Sequence, residues 1–267
     1  MSGWPSLQFG APGAPPVVML HGFIGRGADW QAVAEALAVD HFVLCPDLPG
    51  HGTHTCSEDA AFDSVAESLA AWLVEALPQP HAVVGYSLGG RLALAYAMRH
   101  PERVSRLVLE SASPGLDDLH ARESRAQHDD ALAAELESLE AGSAAFRAWL
   151  EAWYATPLWE SLADRPDLLC ATIDSRADAN PPQLARALRA LSLGRQPDFR
   201  PVLHALLPAT LLITGERDRK FTGLAEEMAS AGPRIAHSVM TGCGHNVHLE
   251  NPEGYTTVLR SFLKPRE

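Results

Sequence analysis

The chain has 267 residues, of which 46% are hydrophobic and 20% charged, values that set aside disordered and fibrous classes. Acidic side chains number 33 and Lys plus Arg 21, a formal net charge of -12 with no basic run, which argues against nucleic acid or an anionic membrane surface as a partner. No apolar stretch approaches the roughly 20 residues of a membrane span, the opening MSGWPSLQFGAPGAPP lacks the order of a signal peptide, and four scattered cysteines without CxxC fit a reduced, cytoplasmic protein.

In chain order, Val17 to Leu20 reads as a buried strand, Ala32 to Leu37 as a short helix and Phe42 to Leu44 as a second strand. Phe62 to Leu77 keeps apolar residues at helical spacing through Val65, Leu69, Trp72 and Leu73. Ala82 to Val84 is a strand, Leu88 to Arg99 a helix that follows directly, and Leu107 to Leu109 a strand. From about Pro114 to Pro201 strand signals vanish, while Ala131 to Tyr154 and Pro182 to Leu193 are helical in pattern. Strands resume at Thr210 to Ile213 and, more weakly, Ile235 to Met240. Asn251-Pro252-Glu253 then opens a helix over Tyr255 to Leu263.

This alternation predicts a mostly parallel, doubly wound α/β sheet. The core is expected over residues 1–113 and 201–267, with a helical cap inserted over 114–200. Such a cap lies over the carboxyl ends of the strands, where α/β proteins bind ligands.

The sharpest motif is Gly85-Tyr86-Ser87-Leu88-Gly89, followed by Gly90. A strand precedes it and a helix follows, the setting of a nucleophile elbow. Serine needs a histidine to take its proton. Of 12 histidines, His245 in Gly242-Cys-Gly-His245 follows the last predicted strand, where a loop can reach back over the sheet. Asp218 lies just beyond the strand before it and is the expected acid, with Glu216 the fallback. The order Ser87, Asp218, His245 is that of the α/β-hydrolase fold. The backbone N–H groups of Phe23 and Leu88 are the expected oxyanion donors. His21 is expected to shape its loop, and Asp47-Leu-Pro-Gly-His51-Gly52 reads as structural turn chemistry.

His21-Gly22-Phe23, the run from Asp47 to Gly52, the elbow and Gly244-His245 together resemble the α/β-hydrolase superfamily along nearly the whole chain. Narrower runs go further. Ser113-Pro-Gly-Leu116, Trp153-Tyr154, Ser192-Leu193, Gln196 to Arg200, Gly215 to Phe221 and Gly244 to Pro252 resemble one family, the menaquinone-pathway lyase 2-succinyl-6-hydroxy-2,4-cyclohexadiene-1-carboxylate synthase (MenH). The resemblance implies a small polycarboxylate substrate and elimination of pyruvate. No metal or cofactor is expected from the residues, since the histidines are dispersed, His245 with His248 lacks further ligands at suitable spacing, and no glycine-rich phosphate or dinucleotide fingerprint follows a strand. It implies substrate contacts from Tyr86, Arg91, Arg125, Trp153 and Arg176, with Arg122 one helical turn away as a substitute for Arg125. Arginine suits such a ligand because its planar fork matches a carboxylate. A serine hydrolase of esters or carbon–carbon bonds, or a non-enzymatic binding protein of the same fold, are the competing readings.

Overall fold

The computed structural model describes residues 3–264. Seven strands form one sheet: β1 (Ser6–Phe9), β2 (Pro16–Leu20), β3 (Phe42–Pro46), β4 (His81–Tyr86), β5 (Val104–Glu110), β6 (Ala209–Gly215) and β7 (Ile235–Met240). Their spatial order is β1-β3-β2-β4-β5-β6-β7. Every pairing is parallel except β1 with β3, which is antiparallel. The helices are α1 (Gln31–Leu37), α2 (Phe62–Ala76), α3 (Leu88–Arg99), α4 (Leu119–Glu137), α5 (Ala144–Tyr154), α6 (Glu160–Ala163), α7 (Pro166–Asp174), α8 (Pro181–Ala190), α9 (Arg219–Ser230), α10 (Val247–Glu250) and α11 (Pro252–Leu263).

Both faces of the sheet are covered, which is why its central strands read as unbroken apolar runs. Side chains still alternate between the two cores. Val18, Leu20 and Val83 join the layer packed by α2 and α3. Val17, Met19, Ala82 and Val84 join the layer packed by α1 and α11. In α2 the buried positions Phe62, Val65, Ala66, Leu69, Ala70 and Leu73 make one stripe facing that first layer.

Between β5 and β6 the described chain is helical, from α4 to α8. The long Ala/Leu/Glu-rich stretch is two helices, not one. Gly142 adopts a positive φ of 71° at the break, and the Ser143 hydroxyl caps α5 by accepting from the Phe146 N–H at 3.1 Å. Asp118 caps α4 and Asn180 caps α8 in the same way. Strand β1 and helix α9 have no counterpart in the sequence reading. No helix of the described residues is long and apolar enough to cross a membrane.

Candidate active site

Ser87 sits between β4 and α3 with φ 49° and ψ -106°. A non-glycine residue holds such a backbone only when its surroundings enforce it. The Ser87 N–H donates to the Glu110 carbonyl at 2.8 Å. The flanking glycines leave no alternative packing: a Cβ on Gly85 would lie 2.5 Å from the Gly89 carbonyl oxygen, and one on Gly90 would lie 2.5 Å from the Ala112 Cβ. The turn thus lifts Ser87 to the amino end of α3, while its neighbours are locked against β2 and β5.

His245 lies on the loop after β7 and is 2% exposed. Its Nε2 is 3.2 Å from Ser87 Oγ, and its Nδ1 is 2.7 Å from Asp218 Oδ2. Asp218 is the N-cap of α9, where its Oδ1 accepts from the Phe221 N–H at 3.2 Å. One carboxylate oxygen therefore fixes the helix and the other faces the imidazole. Glu216 instead accepts from the Gly242 N–H at 2.9 Å and does not meet His245.

The N–H groups of Phe23 and Leu88 have no acceptor among the described residues. Their loops are held by other bonds. The Gly89 N–H donates to the His21 carbonyl at 3.0 Å. His21 Nδ1 lies 2.7 Å from the Gly22 carbonyl oxygen, and its Nε2 accepts from the Leu48 N–H at 2.9 Å. Burial lowers His21 below the usual imidazole range, so the ring is neutral and its two nitrogens have opposite roles. Asp47 accepts from the Gly27 and Thr53 N–H groups. Both loops are structural, as their turn chemistry suggests.

Above Ser87 is a cavity of about 120 Å³. Ser87, Leu88, Phe23 and His245 line it from the sheet side, and Arg125, Trp153 and Leu188 line it from the helices between β5 and β6. Arg91 lies in its wall, 9% exposed, with Nη1 donating to Gln196 Oε1 at 3.1 Å. Burial and then the neighbouring Arg125 cation push Arg91 down to about 9, against the pull of Asp129. It remains charged at neutral pH. Arg125 uses only Nε on Asp129, at 2.9 and 3.0 Å. Asp129 also accepts from the Ser192 hydroxyl at 2.7 Å. Asp129 is thus the counter-charge of Arg125, while Arg91 has no ion pair among the described residues, and the region is short of negative charge. The buried Ser111 hydroxyl and Trp153 Nε1 also have no partner among the described residues, and both residues line the cavity. Arg122 does not line it; its Nε lies 3.4 Å from the Gly194 carbonyl oxygen.

Two residues expected to touch substrate do not line this cavity. Arg176 is absent from this cavity. Its guanidinium grips Asp29 through two bonds of 2.6 and 2.8 Å. Burial opposes its charge, but Asp29 and Tyr154 outweigh burial and hold Arg176 above its usual range. Tyr86 does not line the cavity either. Strand alternation sends it to the same layer as Ala82 and Val84. There its ring packs so closely under Gly22 that a Cβ on that glycine would lie 2.6 Å from it. Residues that sequence reasoning gave no role and that also line the cavity include Ser111, Phe221 and Lys220. Lys220 and Phe221 fall within a run singled out for its resemblance, whereas nothing in the local pattern marks Ser111.

A buried carboxylate ties the histidine loop to the helices above it. Glu250 accepts from the Gly244 N–H at 3.0 Å and from the Ser161 hydroxyl of α6 at 2.9 Å. Burial raises its pKa despite those donors. No group of three His, Cys, Asp or Glu among the described residues could hold a metal ion.

Comparison with known proteins agrees with this architecture. The α/β-hydrolase-fold family model matches residues 15–252. A protein of Enterobacter sp. (strain 638) named 2-succinyl-6-hydroxy-2,4-cyclohexadiene-1-carboxylate synthase is 37% identical, over 96% of this chain and 95% of its own. One of the same name from Escherichia coli O1:K1 is 38% identical, over 96% and 97%. The solved structure of MenH from S. aureus superposes with a TM-score of 0.90 at 29% identity, covering 98% of both chains. Within the α/β-hydrolase fold, the chain belongs to the 2-succinyl-6-hydroxy-2,4-cyclohexadiene-1-carboxylate synthase (MenH) family.

Proposed function

We propose that this chain is a carbon–oxygen lyase of menaquinone biosynthesis. It would convert 2-succinyl-5-enolpyruvyl-6-hydroxy-3-cyclohexene-1-carboxylate to 2-succinyl-6-hydroxy-2,4-cyclohexadiene-1-carboxylate and pyruvate. The observation that carries the reading is Arg91, buried in the wall of the serine cavity with no ion pair among the described residues, beside Arg125, which lines the same cavity and spends only its Nε on Asp129. An esterase for neutral substrates gains nothing from an uncompensated buried cation. A substrate with three carboxylates supplies the missing charge.

Ser87, His245 and Asp218 act as a proton relay in this reading. Asp218 fixes the imidazole with Nε2 facing Ser87. His245 takes the Ser87 proton as Ser87 Oγ takes the proton from ring carbon 2, next to the succinyl carbonyl. The C–H electron pair moves into the enolate, whose oxygen is met by the Phe23 and Leu88 N–H groups. The enolate then re-forms the carbonyl and the ring double bond shifts, breaking the carbon 5–oxygen bond. The leaving enolpyruvate carries off the electron pair and recovers the proton as pyruvate. No water is consumed and no acyl-enzyme forms. The helices from α4 to α8 serve as a cap that closes the reacting carbons from solvent.

The test is to supply the enolpyruvyl substrate and follow pyruvate through lactate dehydrogenase. Stoichiometric pyruvate with the diene absorbance is expected. Rapid hydrolysis of p-nitrophenyl acetate with no pyruvate released would instead point to a serine hydrolase.

A further inference from the structure

With Arg176 committed to Asp29, the serine cavity offers Arg91 and Arg125 for a substrate that would bring three carboxylates. A third cation stands elsewhere. Lys220, in the first turn of α9, lines the serine cavity. Its ammonium is 5.5 Å from the Phe221 ring centroid, and it forms no ion pair among the described residues. Arg217 nearby is already held by Asp164 at 2.7 Å.

Lys220 also lines a second cavity, of about 310 Å³. The two cavities share three residues: Leu158, Lys220 and His245. These three residues stand between the two cavities, the imidazole and a cation without an ion pair among them. At about 120 Å³ the serine cavity is smaller than the 300–1,000 Å³ typical of small-molecule sites, whereas the second brings the pair into that range. The far cavity is walled by Arg219 and Lys220, by Arg217 with its partner Asp164, and by Glu160 and Asp218.

We infer that Lys220 binds the carboxylate of the enolpyruvyl group, and that the cavity beyond it is the route by which the 2-oxo acid leaves. The inference rests on the lyase reading, since it assigns the leaving group of that reaction. Arg91 and Arg125 hold the carboxylates that stay with the ring. Lys220 holds the one that departs, at the boundary between the two cavities. An ammonium suits this task better than a second bidentate arginine, because a point charge on a flexible stem releases its anion easily.

The experiment compares wild type, Lys220→Gln and Lys220→Arg in two assays. The first is turnover of the enolpyruvyl substrate. The second is direct titration of the resting protein with pyruvate, with methyl pyruvate as the uncharged control, read by ligand-observed NMR. Lys220→Gln is expected to lower kcat/KM about tenfold and to weaken pyruvate binding by a similar factor. Lys220→Arg should recover most of both, and methyl pyruvate should bind all three proteins equally weakly. Unchanged pyruvate affinity and turnover in Lys220→Gln would overturn the assignment. Wild type that releases no pyruvate from the substrate would overturn the lyase reading alone. The 2-oxo-acid site would still stand if pyruvate bound wild type and not Lys220→Gln.

Discussion

Replacing Arg91 with Met separates the cost of a buried cation from its use. Arg91 stays charged at neutral pH although burial and Arg125 push it down to about 9 from 12.5. A folded value below the unfolded one means that, at every pH under about 9, the folded state carries this cation at a disadvantage. At roughly 1.4 kcal/mol per pKa unit, the cost is on the order of a few kcal/mol. Met fills a similar volume without charge. The change leaves Gln196 without the Arg91 donor, a loss of about 1 to 3 kcal/mol. The relief of the buried charge is the larger effect, so Tm should hold or rise. Activity should move the other way. Losing a charge-assisted contact costs about 1.5 to 3 kcal/mol, or about 10- to 150-fold in kcat/KM for the enolpyruvyl substrate. Thermal melts and the pyruvate-coupled assay on one preparation give both numbers. A variant that kept kcat/KM within threefold would refute the assignment of Arg91 to substrate. A fall in Tm matching the fall in activity would make the residue structural.

Three further outcomes follow from the same geometry. Ser87→Ala, His245→Ala and Asp218→Asn should each lose at least about a thousandfold in kcat, and double variants should lose little more, because the three act as a unit; additive losses would contradict a shared proton relay. Asp29→Asn leaves the Arg176 cation buried without its counter-charge, at a cost of about 3 kcal/mol or more, which lowers Tm by roughly 6 to 12 °C in a domain of this size; Asp29→Asn/Arg176→Met should regain part of it, and an unchanged Tm in the single variant would show that the pair contributes nothing. Burial lowers His21 and His51 below the usual imidazole range, so the unfolded chain takes up protons first as pH falls below about 6.5. Stability is complete above that pH and declines below it. Melts between pH 7.5 and 5 should show the decline, and His51→Phe, packed between His21 and Phe23, should flatten it.

The sheet was legible where both faces are covered, since β2, β4 and β6 have no exposed positions to break the apolar run. Strand β1 was not, because Ser6–Phe9 is a four-residue stretch at the edge, with half-buried ends, two exposed side chains between them and no buried position. Helix α9 was hidden for a similar reason: Ala225 and Met228 are its only buried side chains. Ser87, Asp218 and His245 were legible because each follows a strand, and strand order brings those ends together. The pairing of Arg176 with Asp29 was not legible, because the two lie 147 residues apart and local spacing carries no sign of such a contact. Lys220 stood inside a recognised run, but its place on the lining of two cavities exists only in the folded chain.

The carboxylate of Glu250 makes the helices between β5 and β6 a poor candidate for modular exchange. Domain grafting assumes that an insertion can be cut at its two junctions and replaced. Here a residue of the recipient, Glu250, spends one oxygen on Ser161 of the insertion and the other on the N–H beside His245. Gly244 is packed so tightly against Ser161 that a Cβ there would collide with the serine hydroxyl. A foreign cap lacking a hydroxyl at that place would leave a buried acid half-partnered next to the histidine loop. Chimeras should therefore be cut to carry residues 242–252 along with the cap, so that the donor's histidine loop travels with the helices that hold it.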